Sequence, residues 1–92
     1  MGWHRIQVPH APMLEIAHEF ERLMMAVGMP DDAALFSSNY FTNGLYDMYF
    51  SPAAVPHCLG LIARYHGVPC DVPERADTGL FSGPQIALGL LR

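Results

Sequence analysis

The residues of this chain that could do metal or nucleophilic chemistry are two cysteines, five histidines and one Glu-x-x-His pair. Their spacing argues against both kinds of chemistry. Glu15 and His18 have the helical spacing used in di-iron carboxylate bundles, but such a centre needs a second pair and two further glutamates on other helices. At ~100° per residue His18 falls opposite the apolar stripe of its helix, between Glu15 and Arg22, where weak pairing on a solvated face is expected. His57, Cys58, His66 and Cys70 contain the right ligand types in the wrong geometry. On a helix Cys58 and His66 would be ~12 Å apart, beyond what ligand bonds of ~2.0–2.3 Å can bridge. There is no Cys-x-x-Cys and no pair of histidines at helical spacing. Cys58 lies near a helix start, which favours a reactive thiol, but it also sits among Leu59, Ile62 and Tyr65 on the apolar face, which favours a buried structural one. Cys70 is the more accessible by position, and nothing beside it in sequence activates it. Gly79, Gly83 and Gly89 match no phosphate-binding fingerprint. The expectation is no metal and no cofactor.

The elements that would position any site are legible from pattern. Trp3 to Val8 alternates, with Ile6 and Val8 on one face and Trp3, Arg5 and Gln7 on the other, so it reads as a strand ended by Pro9. Met13, Ile16, Ala17, Phe20, Leu23, Met24 and Val27 recur at helical spacing, which predicts a helix over 13–27 stopped by Gly28 and Pro30. Asn43-Gly44 predicts a type I′ hairpin between strands 34–42 and 45–50. That turn sets Tyr40 opposite Asp47 and Ser38 opposite Tyr49. Ser51-Pro52 reads as an N-cap and first helical residue. Pro56 lacks the amide a helix starting there would use, so either the first turn is distorted or the regular helix begins near Pro56. This second helix ends at His66, before Gly67 and Pro69.

One phrase occurs twice. Gly28-Met29-Pro30 recurs as Gly67-Val68-Pro69, and Asp32, Leu35, Phe36 and Ser37 recur as Asp77, Leu80, Phe81 and Ser82 after a longer gap. This internal repeat predicts a last strand at Leu80-Phe81-Ser82. Residues 84–92 read equally as a short helix or an edge strand. The order β-α-β-β-α-β in one domain, residues 1–92, is the α+β, ferredoxin-like plan with a C-terminal extension: one antiparallel sheet with both helices on one face. Ile6, Val8, Phe41, Tyr46, Met48 and Phe50 would then face the helices. The opposite, open face would carry Trp3, Arg5, Gln7, Ser38, Tyr40, Leu45, Asp47 and Tyr49, with an Arg5–Asp47 pair within reach.

Composition narrows what meets that face. Just over half of the residues are apolar, 51%, more than a chain this short readily buries. An open sheet face is usually polar, whereas Trp3, Tyr40 and Tyr49 are types favoured at interfaces and clefts. Three occupants compete: a second copy, giving a homodimer; a small-molecule ligand; or the C-terminal tail. The net charge is −4 and the five basic residues, all arginine, are dispersed, which argues against nucleic acid. No run reaches the ~18 apolar residues of a membrane span. Met1 to Arg5 lacks the apolar stretch of a secretory leader, so a cytoplasmic setting with reduced thiols is expected. The function expected is a non-catalytic ligand-binding or interaction domain with Trp3, Arg5, Tyr40, Asp47 and Tyr49 as its face. The alternative is a cofactor-independent enzyme with a cleft on that face, Asp47 as base and Arg5 holding an anion.

Overall fold

The computed structural model describes residues 2–37 and 44–72. They form a small α+β domain: a four-stranded antiparallel sheet and two helices. Strand β1 is Trp3–Val8, helix α1 is His10–Ala26, β2 is Leu35–Ser37 and β3 is Tyr46–Phe50. A single 3₁₀ turn, Val55–His57, leads into α2, Leu59–Arg64, and β4 is Val68–Cys70. The strand order is β2-β3-β1-β4, so the first and third strands are central neighbours and the second lies beside the third. Among the described residues no helix is long and apolar enough to cross a membrane.

Both helices bury their apolar faces on the same side of the sheet. Ile6 and Val8 of β1, Leu35 of β2, and Met48 and Phe50 of β3 join Met13, Ile16, Phe20 and Met24 of α1 and Val55, Cys58, Leu61 and Ile62 of the second helical segment in one core. Phe20 and Phe50 meet in a tilted ring contact with centroids 6.2 Å apart, one of the arrangements aromatic pairs prefer.

Helix α1 ends in a Schellman motif. Gly28 takes φ +89°, the Gly28 amide donates to the Met25 carbonyl, and the Met29 amide donates to the Met24 carbonyl at 2.7 Å. Helix α2 ends in the same motif one residue out of step with the repeated phrase. Here His66 takes the positive φ, its amide donates to Ala63, and the Gly67 amide donates to Ile62. The glycine that stops α1 by its dihedral is therefore replaced in that role by His66, and Gly67 serves a different need. A Cβ on Gly67 would overlap Ile62 Cγ2 and come within 3.1 Å of Ile6 Cγ2. Burial follows the cap and not the phrase. Met13, Ile16, Ala17, Phe20 and Met24 match Ser51, Ala54, Val55, Cys58 and Ile62, every one buried, at a spacing one residue shorter than that of Gly28 and Gly67.

Four sequence expectations change. Helix α1 begins at His10, not residue 13, with Pro12 inside its first turn. The second helix has the distorted start that Pro56 led one to expect, 3₁₀ geometry through Pro56 and regular α geometry from Leu59, but it ends at Arg64, not His66. The fourth described strand is Val68–Cys70, so the phrase that turns away after α1 enters the sheet after α2. Leu80-Phe81-Ser82 lies outside the described residues, as do residues 84–92. Finally, β2 pairs with β3 two residues away from the register the Asn-Gly turn implies: Tyr49 faces Phe36, not Ser38. Asn43 itself is outside the described residues.

Ser51 is also not a helix cap. Its hydroxyl donates to the Asp32 carbonyl at 2.9 Å and accepts from the Ala34 amide at 2.7 Å. It ties the end of β3 to the segment entering β2. Replacing it leaves a buried backbone amide and carbonyl without that partner. Ser51→Ala is expected to lower unfolding free energy by about 1–3 kcal/mol, read as a lower urea midpoint at unchanged slope. Gly67→Ala should cost about 1–3 kcal/mol through forced displacement of Ile62. A Gly67→Ala variant as stable as the parent would show that this junction is not tightly packed.

Candidate functional site

On the side of the sheet away from the helices, strand alternation sets side chains in rows. Phe36, Tyr49, Arg5 and Val68 lie directly across from one another on β2, β3, β1 and β4. Asp47 faces Gln7 in the next row, and Cys70 faces Trp3 in the row before. Trp3, Arg5, Asp47 and Tyr49 thus share one face, as their sequence parity implies. Tyr40 lies outside the described residues.

The face is more self-satisfied than an open surface. Ala34 and Phe36 are buried there, with Trp3 and Tyr49 packed against them. The Trp3 indole stacks on Phe36 with centroids 5.5 Å apart and planes within 13°. The two residues sit on strands separated by β3. Phe36 is the site residue that sequence reading missed. Only the register shift that sets it opposite Tyr49 brings it into the row. Its exposure is 2%. Of the large apolar side chains that remain exposed among the described residues, Val68 is on this face at the β4 edge and Val72 lies just beyond β4, while Leu14, Met25, Val27, Met29 and Leu59 belong to the helices and the turn after α1.

Asp47 does not pair with Arg5. Its carboxylate accepts from Gln7 Nε2 at 2.9 Å and from the Tyr49 hydroxyl at 3.4 Å. The register explains this, because Gln7 faces Asp47 directly and Arg5 faces Tyr49. Burial, and after it the Asp47 carboxylate, pushes the Tyr49 phenol above its ordinary value. Tyr49 is therefore a hydrogen-bond donor at neutral pH and not a base. Arg64 pairs with Glu19 at 3.0 Å on the helix side of the domain. Arg5 Nε is buried and has no hydrogen-bond partner among the described residues.

At one end of the face, Arg5, Gln7, Leu45, Tyr65, His66 and Val68 line an open cleft of about 220 Å³. The left-handed turn at His66 makes it, by carrying the chain from α2 into β4 and bringing Tyr65 and His66 beside β1.

Both cysteines are free thiols, and neither is activated. Burial, followed by the Glu19 carboxylate, pushes Cys58 up to about 12 from 9.0. Burial also raises Cys70, outweighing the opposing pull of Arg5. No group of three or more histidine, cysteine or acidic side chains converges among the described residues.

The raised Cys58 value has a consequence for stability. Above its ordinary value of 9.0 the unfolded chain releases this proton while the folded chain keeps it up to about 12, so unfolding gains and stability falls as pH rises through that window. Urea midpoints are expected to drop between about pH 8 and about pH 10, and Cys58→Ala should show a shallower drop whatever its stability at neutral pH. Identical pH slopes would show that Cys58 is not shielded. Among known proteins, no family model, curated protein or solved structure matches this chain, so a functional reading rests on the geometry of this face and its cleft.

Proposed function

We propose that this chain is a non-catalytic binding domain of ferredoxin-like plan that works as a homodimer, with the Trp3, Arg5, Tyr40, Asp47 and Tyr49 face turned toward its partner copy. The ferredoxin-like reading is supported by the central antiparallel pair of first and third strands and by the two helices sharing one core. It is supported too by the matched caps and burial of α1 and the second helical segment, as two related halves would have. A cytoplasmic setting is consistent with two free thiols.

The observation that carries the functional reading is the row Phe36, Tyr49, Arg5 and Val68 with the Trp3–Phe36 stack beside it. Flat, rigid aromatic area with polar tips and one arginine is the composition of an interface centre. The enzyme alternative fares worse, because the only carboxylate on the described part of the face has both oxygens engaged by Gln7 and Tyr49.

Light scattering at about 30 µM, ample for a standard-size interface, is expected to give twice the chain mass. Tyr49→Asp should give a folded monomer with the parent's far-ultraviolet dichroism. A monomeric parent protein, or a Tyr49→Asp variant that is still dimeric, would overturn the reading.

A further inference from the structure

Arg5 carries a donor that none of the described residues accepts. Its Nε is buried without an acceptor, and buried donors left unpaired are uncommon in native proteins and call for a specific explanation. The carboxylate on the described part of the face, Asp47, accepts from Gln7 and Tyr49 instead. The arginine nonetheless sits at a cleft of about 220 Å³ whose other walls are of two kinds. Gln7, Tyr65 and His66 offer polar groups, while Leu45 and Val68 offer apolar surface. Val68 is directly across from Arg5 on the neighbouring strand, and both residues line the cleft.

We propose that this cleft binds a small organic carboxylate, anchored by Arg5 and held along its hydrocarbon part by Leu45 and Val68. A guanidinium presents its N–H groups as a planar fork that matches a carboxylate and forms the stronger, charge-assisted class of hydrogen bond. The apolar walls discriminate against a bare inorganic anion, which would forfeit hydration there for no apolar contact. A short acid with a few methylene groups meets both halves of the site. The proposal goes beyond the pairing of two copies and does not need it, because cleft and donor both belong to one chain.

The test is a titration followed by the side-chain Nε–H signals of the full chain in nitrogen–proton correlation spectra. The probe is sodium butyrate, with sodium chloride, sodium phosphate and neutral butyramide as controls at matched ionic strength. Butyrate is expected to move the Arg5 Nε–H signal saturably, together with the methyl signals of Leu45 and Val68, and the controls are expected to move neither set saturably. Arg5→Met should weaken butyrate binding, read at the Leu45 and Val68 methyls, by at least about tenfold, the loss of a charge-assisted pair. The proposal is overturned by a non-saturating response to butyrate, by equal shifts with butyramide or phosphate, or by unchanged affinity in Arg5→Met. Because the parent protein with its neutral control decides the matter alone, a poorly folded variant leaves the test intact. Light scattering on the same samples reads pairing separately, so either proposal can fail without the other.

Discussion

The absence of a side chain at Gly67 is the constraint on which the described architecture turns. Ile62 of α2 and Ile6 of β1 close over this position with no room for a Cβ. That contact brings the end of the second helix against the central strand. From there the chain has one short path, through Gly67 into β4 alongside β1. The row that ends in Val68, the cleft beside Arg5 and the approach of Cys70 to Trp3 all follow from it. A side chain here would have to displace Ile62, which packs in the core between α2 and β1.

Strand alternation was enough to sort the two faces of the sheet, and it stayed enough where the details were wrong. The Asn-Gly turn implies one β2–β3 register and the sheet adopts another, two residues away. Because side chains alternate with a period of two, such a displacement leaves every residue on its own face. Trp3, Arg5, Asp47 and Tyr49 were therefore assignable to one surface from sequence, and parity places Phe36 there too; what sequence could not supply is its row, opposite Tyr49, because that depends on register. The Gln7–Asp47 contact belongs to the same category. Charge suggests Arg5 as the partner, but direct cross-strand opposition decides in favour of an amide.

The repeated phrase was legible as text and ambiguous as structure. Its glycines serve two different physical ends, a positive dihedral at Gly28 and close packing at Gly67, and the helix caps are consequently displaced by a residue. One helical residue turns ~100°, so superposing the two phrases sets the apolar stripes of the two helices roughly a quarter turn apart, and superposing the caps removes that offset. A glycine read from sequence says that something forbids a side chain there, and only the surroundings say whether it is the backbone or a neighbour. The hydroxyl of Ser51 carries the same lesson. Its position before a proline invites a capping role, yet tertiary contact gives it the backbone of a distant segment, Asp32 and Ala34.

Pro69, the middle residue of β4, sits on the outer strand of the described sheet, opposite His4. Proline has no amide hydrogen, so an approaching strand finds the ladder interrupted at the centre of a three-residue edge. Edge strands with regular unpaired amides are templates for open-ended stacking of one sheet on the next. This edge is too short and too incomplete to serve as one. At β4, then, the described sheet presents a strand that a further strand could not extend as a regular ladder.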